Sequence, residues 1–272
     1  MLTSSGAVRL PTVDFNGRVA LVTGASKGIG RGFALELARA GTTVVGVARG
    51  PEDLAALDTD LTGLDERSWT RPVDVADDAA VRSLIDDIIE RNGRLDILVN
   101  NAAVEGRRSV LEMDIDYARR IMDVNYLGTV RCTLAAIPHM VERGEGWIVG
   151  VTSGAARAPV PLESAYAASK AAIIAFCDAI SYELQPRGVR VKILSPGFVG
   201  ETPMAQGSVA RGLPVPPKYV HRTVSGVARA LVRKLDEPGL EINLVKLELA
   251  AVVTRALMPR IYRRSMRKMN PI

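Results

Sequence analysis

Residues 18–41 read RVALVTGASKGIGRGFALELARAG: a continuous apolar run, a turn with three glycines, then a segment whose apolar residues recur at helical spacing. A strand apolar on both faces must be covered on both faces, and the helix that follows at once supplies one cover. The pattern then repeats. TTVVGVA (42–48) reads as a second strand, DDAAVRSLIDDIIERNG (77–93) as an amphipathic helix stopped by Asn-Gly, and LDILVNNA (95–102) as a third strand. Residues 113–144 read as one or two helices, and GWIVGVTS (146–153) and GVRVKILSPG (188–197) as further strands. Between those two strands lies SAYAASKAA (164–172), the start of a helix built from small residues. Strands alternating with helices predict one α/β domain, a doubly wound parallel sheet with helices on both faces.

The division expected along the chain is a flexible tail over 1–14, a catalytic domain over 15–254 and a basic segment over 255–272. Within the domain, the Pro- and Gly-rich stretch 200–224 is long for a connection and reads as a lid. A last strand is expected near 241–247, followed by an amphipathic helix broken or bent at Pro259. Cys132 and Cys177 have no CxxC spacing, which suggests neither a disulfide framework nor a zinc site and predicts two core thiols in a reducing compartment. His139 and His221 have no carboxylates at ligand spacing, so no metal site is expected. The first residues lack an apolar signal core, and no run reaches the ~18 residues of a membrane span, so the expected location is cytoplasmic. The net charge of +5 gathers at the end, where Arg255, Arg260, Arg263, Arg264, Arg267 and Lys268 occur without an acid. Such a tail reads either as a contact for an anionic membrane or nucleic acid, or as a solvated end; the second reading is preferred.

The turn places Gly24, Gly28 and Gly30 between strand and helix, with Ser26, Lys27 and Ile29 among them. Glycines let the backbone turn tightly and approach a pyrophosphate, which the free N–H groups and dipole of a helix N-terminus attract. The spacing is GxxxGxG. The second strand ends VVGVARG, with Arg49 and no acid where NAD sites hold the ribose 2′-hydroxyl; Arg49 together with Lys27 favours a 2′-phosphate, hence NADP(H).

TGASKGIG, NNAA (100–103), DVNYLG (123–128), VTS (151–153), YAASK (166–170) and SPG (195–197) stand in the order of the short-chain dehydrogenase/reductase family, which residues 15–200 resemble. The resemblance implies a Rossmann-type domain. It also implies that Asp74 and Val75 hold the adenine, that Asn101, Ala102 and Ala103 run beside the adenine ribose, and that Pro196, Gly197, Val199 and Thr202 lie at the nicotinamide. Ala103 stands where the family more often has glycine, and Thr202 lies one position later than the usual PGxVxT. The chain also lacks the NVDGG-like ending of many relatives.

Tyr166 and Lys170 are four apart and share one helix face. A carbonyl that gains hydride needs a proton at oxygen, and a tyrosine, with its ordinary pKa of ~10, becomes a usable acid and base when a cation favours tyrosinate. The resemblance implies that Tyr166 exchanges this proton, that Lys170 lowers its pKa and binds the nicotinamide ribose, and that Ser153 stabilises the oxyanion. Thr152 and Ser164 are alternatives nearby; the strand-end position favours Ser153. Asn125 by itself reads as a polar residue inside a helix, and the resemblance gives it a water relay to the lysine. It further implies a homo-oligomer, dimer or tetramer, paired through the helix of Tyr166. Walls rich in Ala, Val, Leu, Pro and Met (154–165 and 200–224) suggest a medium-to-large, mainly apolar carbonyl or alcohol, with Arg157 or Glu163 as possible polar contacts. The alternative function is a non-catalytic NADPH-binding sensor or scaffold.

Overall fold

The computed structural model describes residues 14–210, 215, 216, 218–244 and 246–268. The chain order is β1 (Val19–Thr23), α1 (Gly28–Arg39), β2 (Thr43–Ala48), α2 (Pro51–Thr62), β3 (Trp69–Pro72), α3 (Asp78–Asn92), β4 (Ile97–Asn100), α4 (Ile115–Met122) and α5 (Gly128–Arg143). It continues through β5 (Gly146–Val151), α6 (Ser164–Leu184), β6 (Val189–Ser195), α7 (Pro203–Ala210), α8 (Val224–Lys234), β7 (Glu241–Asn243), α9 (Lys246–Leu257) and α10 (Pro259–Lys268).

The seven strands among the described residues are all parallel, in the order β3-β2-β1-β4-β5-β6-β7. The order reverses between β1 and β4, and the crevice at such a switch point is where a doubly wound sheet binds its ligand. The two-residue period of a strand explains why β1 is apolar from Val19 to Val22. Val19 and Leu21 enter the core shared with Leu84, Ile88 and Cys132, while Ala20 and Val22 enter the core shared with Phe33, Leu37 and Leu231. Cys132 and Cys177 are buried free thiols.

Two elements carry no clear sequence signal. β3 is a short edge strand, WTRP, with no fully buried residue, and α2 has only three buried positions, Leu54, Leu57 and Leu61. The expected helical stretch 113–144 is α4 and α5 joined by a π-helical turn, Asp123–Leu127. The last strand is shorter than expected, because a helix already begins at Lys246; the expected break at Pro259 is present, separating α9 from α10. The stretch 200–224 holds α7 and a short 3-10 turn, with 211–214 and 217 outside the described residues, as is the expected tail save Asp14. Among the described residues no helix is long and apolar enough to cross a membrane, and no group of metal-ligating side chains is assembled. His221 is structural: its Nε2 lies 2.8 Å from the Pro216 carbonyl and its ring packs on Phe198.

Candidate active site

The crevice begins with a stitch between the ends of β1 and β4. The Thr23 hydroxyl accepts the N–H groups of Asn101 and Ala102, each at 3.0 Å, and Asn101 Nδ2 donates to the carbonyls of Thr23 (2.9 Å) and Gly24 (3.2 Å). Asn101 thereby shapes the glycine turn from across the crevice. Gly24 (φ +64°) and Gly28 (φ +55°) occupy the left-handed region. At Gly30 the constraint is contact instead: a Cβ would lie 2.1 Å from the Gly24 carbonyl oxygen.

A nicotinamide dinucleotide fits what surrounds this turn. The first turn of α1 has no side-chain cap and no acid, so its N–H groups remain available to an anion beside Ser26, Lys27 and Ile29. Gly24, Arg49, Asp74, Val75, Ala102 and Ala103 line one cleft, so residues scattered over eighty positions meet where the sequence reading expected an adenosine. Asp74 Oδ1 accepts from Ala76 N–H at 3.0 Å, which fixes its carboxylate. Arg49 is exposed at the cleft mouth. Lys27, by contrast, is engaged with Asp53 at 2.7 Å, in an exposed ion pair.

Beyond the turn of Pro196 and Gly197 (φ +74°), Val199 is buried and bridges to Arg222. Thr202 Oγ1 donates to Val199 O at 2.9 Å and accepts from Ala205 N–H at 3.2 Å, so it caps the start of α7. Its methyl group would lie 3.3 Å from a Cβ at Gly28, so the start of α7 rests against the glycine turn.

Ser153, just past β5, stands beside Tyr166, in the first turn of α6, and its hydroxyl favours the tyrosinate form. Ser153 Oγ also accepts from Ala155 N–H at 3.3 Å. One turn on, Lys170 Nζ lies 5.8 Å from the centre of the Tyr166 ring and donates to Val151 O at 2.9 Å. Burial pushes Lys170 down to about 8. Burial also holds the Tyr166 phenol above its usual range, joined by the carboxylates of Glu163 and Glu105 and opposed by Ser153 and Arg107. The alternatives differ: Thr152 Oγ1 donates to the Lys170 carbonyl, and Ser164 is exposed.

Asn125 sits in the π-helical turn, fully buried. Its Oδ1 accepts from Val104 N–H (2.8 Å), and its Nδ2 donates to Val104 O (3.2 Å) and Ser169 Oγ (3.1 Å). The amide therefore clamps the chain after β4 to α6. Its main-chain carbonyl accepts from Thr129 Oγ1 at 2.9 Å.

The clamp positions residues that the sequence reading missed. Gly106 lies flat on Tyr166, where a Cβ would stand 3.0 Å from Tyr166 Cβ. On either side of it, Arg107 pairs with Glu163, and Glu105 Oε1 accepts from Ser208 Oγ of α7 at 2.7 Å. Charge thus enters a wall expected to be apolar. The available signal was EGRR directly after NNAAV, where the chain leaves β4 across the crevice. Leu162, before Glu163, is the one described non-glycine residue with positive φ (+69°), backbone strain of the kind stored at functional sites. Of the two suggested polar contacts, Glu163 faces the site; Arg157 instead pairs with Glu241 at 2.5 Å.

The chain is similar to known proteins over most of its length. The sequence profile of the short chain dehydrogenase family matches residues 18–211. A dehydrogenase/reductase SDR family protein 7-like of Anopheles gambiae is 38% identical over 189 residues, 68% of this chain and 60% of that protein. The chain thus matches under two thirds of that relative's length. Oxidoreductase UcpA of Escherichia coli K12 is 37% identical over 237 residues, 86% of each chain. The crystal structure of a short-chain dehydrogenase from Streptomyces avermitilis superposes with a TM-score of 0.77 at 27% identity, covering 92% of this chain and 96% of that one. With the family profile covering residues 18–211 and a relative 37% identical over 86% of each chain, the chain belongs to the short-chain dehydrogenase/reductase family.

Proposed function

We propose that the protein is an NADP(H)-dependent oxidoreductase that interconverts a carbonyl and an alcohol on a medium-to-large, mainly apolar substrate. The observation that carries this reading is the convergence of Ser153, Tyr166 and Lys170 at the C-terminal edge of β5, beside the crevice lined by Gly24, Asp74 and Ala102. A nicotinamide cofactor held in the crevice of Gly24, Asp74 and Ala102 would supply hydride chemistry at the carbonyl carbon, in either direction. Ser153 Oγ, held by Ala155 N–H, orients the substrate oxygen, and the Tyr166 phenol gives that oxygen its proton as negative charge develops. A phenol that holds its proton firmly still donates readily to an alkoxide, which is far more basic. Lys170, pushed down to about 8, keeps its ammonium at neutral pH and biases Tyr166 toward tyrosinate for the reverse direction.

The preference for NADP(H) rests on Arg49 at the cleft mouth and on the lack of an acid at the end of β2. Pairing of two copies through α6 is supported by Leu134 and Tyr182, which leave 60% and 71% of their surfaces exposed on α5 and α6. The test is NADPH consumption with aldehydes and ketones graded by size and polarity, with Tyr166→Phe as the control. Turnover that vanishes in the variant supports the assignment; turnover that survives it removes Tyr166 as the proton donor.

A further inference from the structure

The α9–α10 helix pair joins two properties that a solvated end has no use for. Arg260, Arg263, Arg264, Arg267 and Lys268 are all exposed, and α10 contains no acid. Around the break between the helices Leu257, Met258 and Ile261 leave 75%, 47% and 60% of their surfaces in water. The pair is nevertheless anchored. Tyr262 and Met266, one turn apart, form the half-buried face of α10; Tyr262 Oη donates to Pro159 O at 2.9 Å, and the Arg255 guanidinium donates to the Arg157 carbonyl.

The loop that anchors it runs between Ser153 and Tyr166. At the other end of that loop, Leu162 O accepts from Arg108 N–H at 2.8 Å, and the chain beyond Arg108 carries Val110 and Leu111, 69% and 86% exposed. Exposed apolar side chains therefore flank the catalytic wall on both sides. Asp114 and Asp116, nearby in sequence, pair with Arg108 and Arg119, so the attraction for anions comes from α10.

A second copy of the chain pairing through α10 would set five cations against five. A nucleic acid would answer the cations but leave Leu257, Met258 and Ile261 in water. An anionic lipid surface answers both, with headgroups for the arginines and the acyl boundary for the apolar side chains. We propose that the α9–α10 helix pair docks the protein on an anionic lipid surface and turns the mouth of the catalytic cleft toward it.

The test is co-sedimentation of the full chain with phosphatidylcholine vesicles, with and without phosphatidylserine. Two variants are compared, Arg263→Gln/Arg264→Gln/Arg267→Gln and Leu257→Ser/Ile261→Ser, each checked for native melting and NADPH binding. The wild type should pellet only with the anionic vesicles and be released by salt. Each variant should lose about tenfold or more in partitioning. No pelleting of the wild type, or equal pelleting of all three proteins, overturns the proposal. So does binding to duplex DNA or RNA without vesicle binding, or a smaller oligomer for Leu257→Ser/Ile261→Ser with vesicle binding unchanged.

Discussion

Arg107 Nε lies 2.5 Å from Glu163 Oε1, in an ion pair whose side chains keep only 14% and 9% of their surfaces exposed. It fastens the segment after β4 to the start of α6, three residues before Tyr166. Burial pushes the Glu163 carboxyl up and Arg107 pulls it back, so the pair depends on both partners. Arg107→Met leaves a buried carboxylate without its cation and should cost about 3 kcal/mol. Adding Glu163→Leu should recover most of that loss, because the stranded charge goes with it. Urea unfolding of the two single variants and the double variant measures the coupling, and strictly additive losses would contradict it.

The same carboxylate acts on Tyr166. Burial comes first in holding the phenol high, and Glu163 follows. Removing that negative charge while Arg107 remains makes tyrosinate easier to form, so the Tyr166 pKa should fall in Glu163→Gln. The rising limb of a pH–rate profile for alcohol oxidation should then move to lower pH. Reduction near neutrality, where the phenol is protonated in both proteins, should change less. An unmoved limb in a variant that melts normally would show that Glu163 has only a structural part.

How much of this was legible in the sequence depended on how far each feature depends on local chemistry. The strand–turn–helix at 18–41 and the tyrosine–lysine pair were readable because backbone turning and helical spacing act over a few residues. β3 was not, since an edge strand with half-exposed residues has neither an apolar run nor a clean alternation. The fixed positions of Asn101 and Asn125 were only implied. Their amides bridge to Gly24 and Val104, partners 77 and 21 positions away. The Arg107–Glu163 pair spans 56 positions and exists because the clamp on Val104 turns the chain over Tyr166. No window of local sequence contains both partners.

Cofactor choice should respond to two residues with opposite sign. Arg49→Ala removes the exposed cation at the cleft mouth and should weaken NADPH about tenfold or more, with little effect on NADH. Asp53→Asn frees Lys27 from an exposed pair that contributes little stability and takes a carboxylate away from the phosphate's surroundings. NADPH binding should therefore tighten. Fluorescence titration with both nucleotides checks the pair of outcomes, and parallel changes for NADPH and NADH would refute a 2′-phosphate contact.

Lys170 should cost the fold stability in return for its chemistry. Its ammonium is pushed from the usual 10.5 down to about 8 by burial, so below pH 8 the fold without nucleotide carries a cost on the order of 3 kcal/mol. The unfolded chain keeps this proton up to pH 10.5 while the native one releases it above about 8. In that window the unfolded state binds more protons, and stability rises with pH. Cys132 and Cys177, pushed up to about 12, act in the opposite sense above pH 9, so the difference between wild type and variant isolates the lysine. Lys170→Met also removes the donor to Val151 O, which returns about 1 kcal/mol of the gain. Without nucleotide, the variant should melt above the wild type at pH 7, and the gap should narrow or reverse by pH 10, while turnover is lost at both. A gap independent of pH from 7 to 10 would mean that the native and unfolded chains hold this proton equally, so that burial does not depress Lys170.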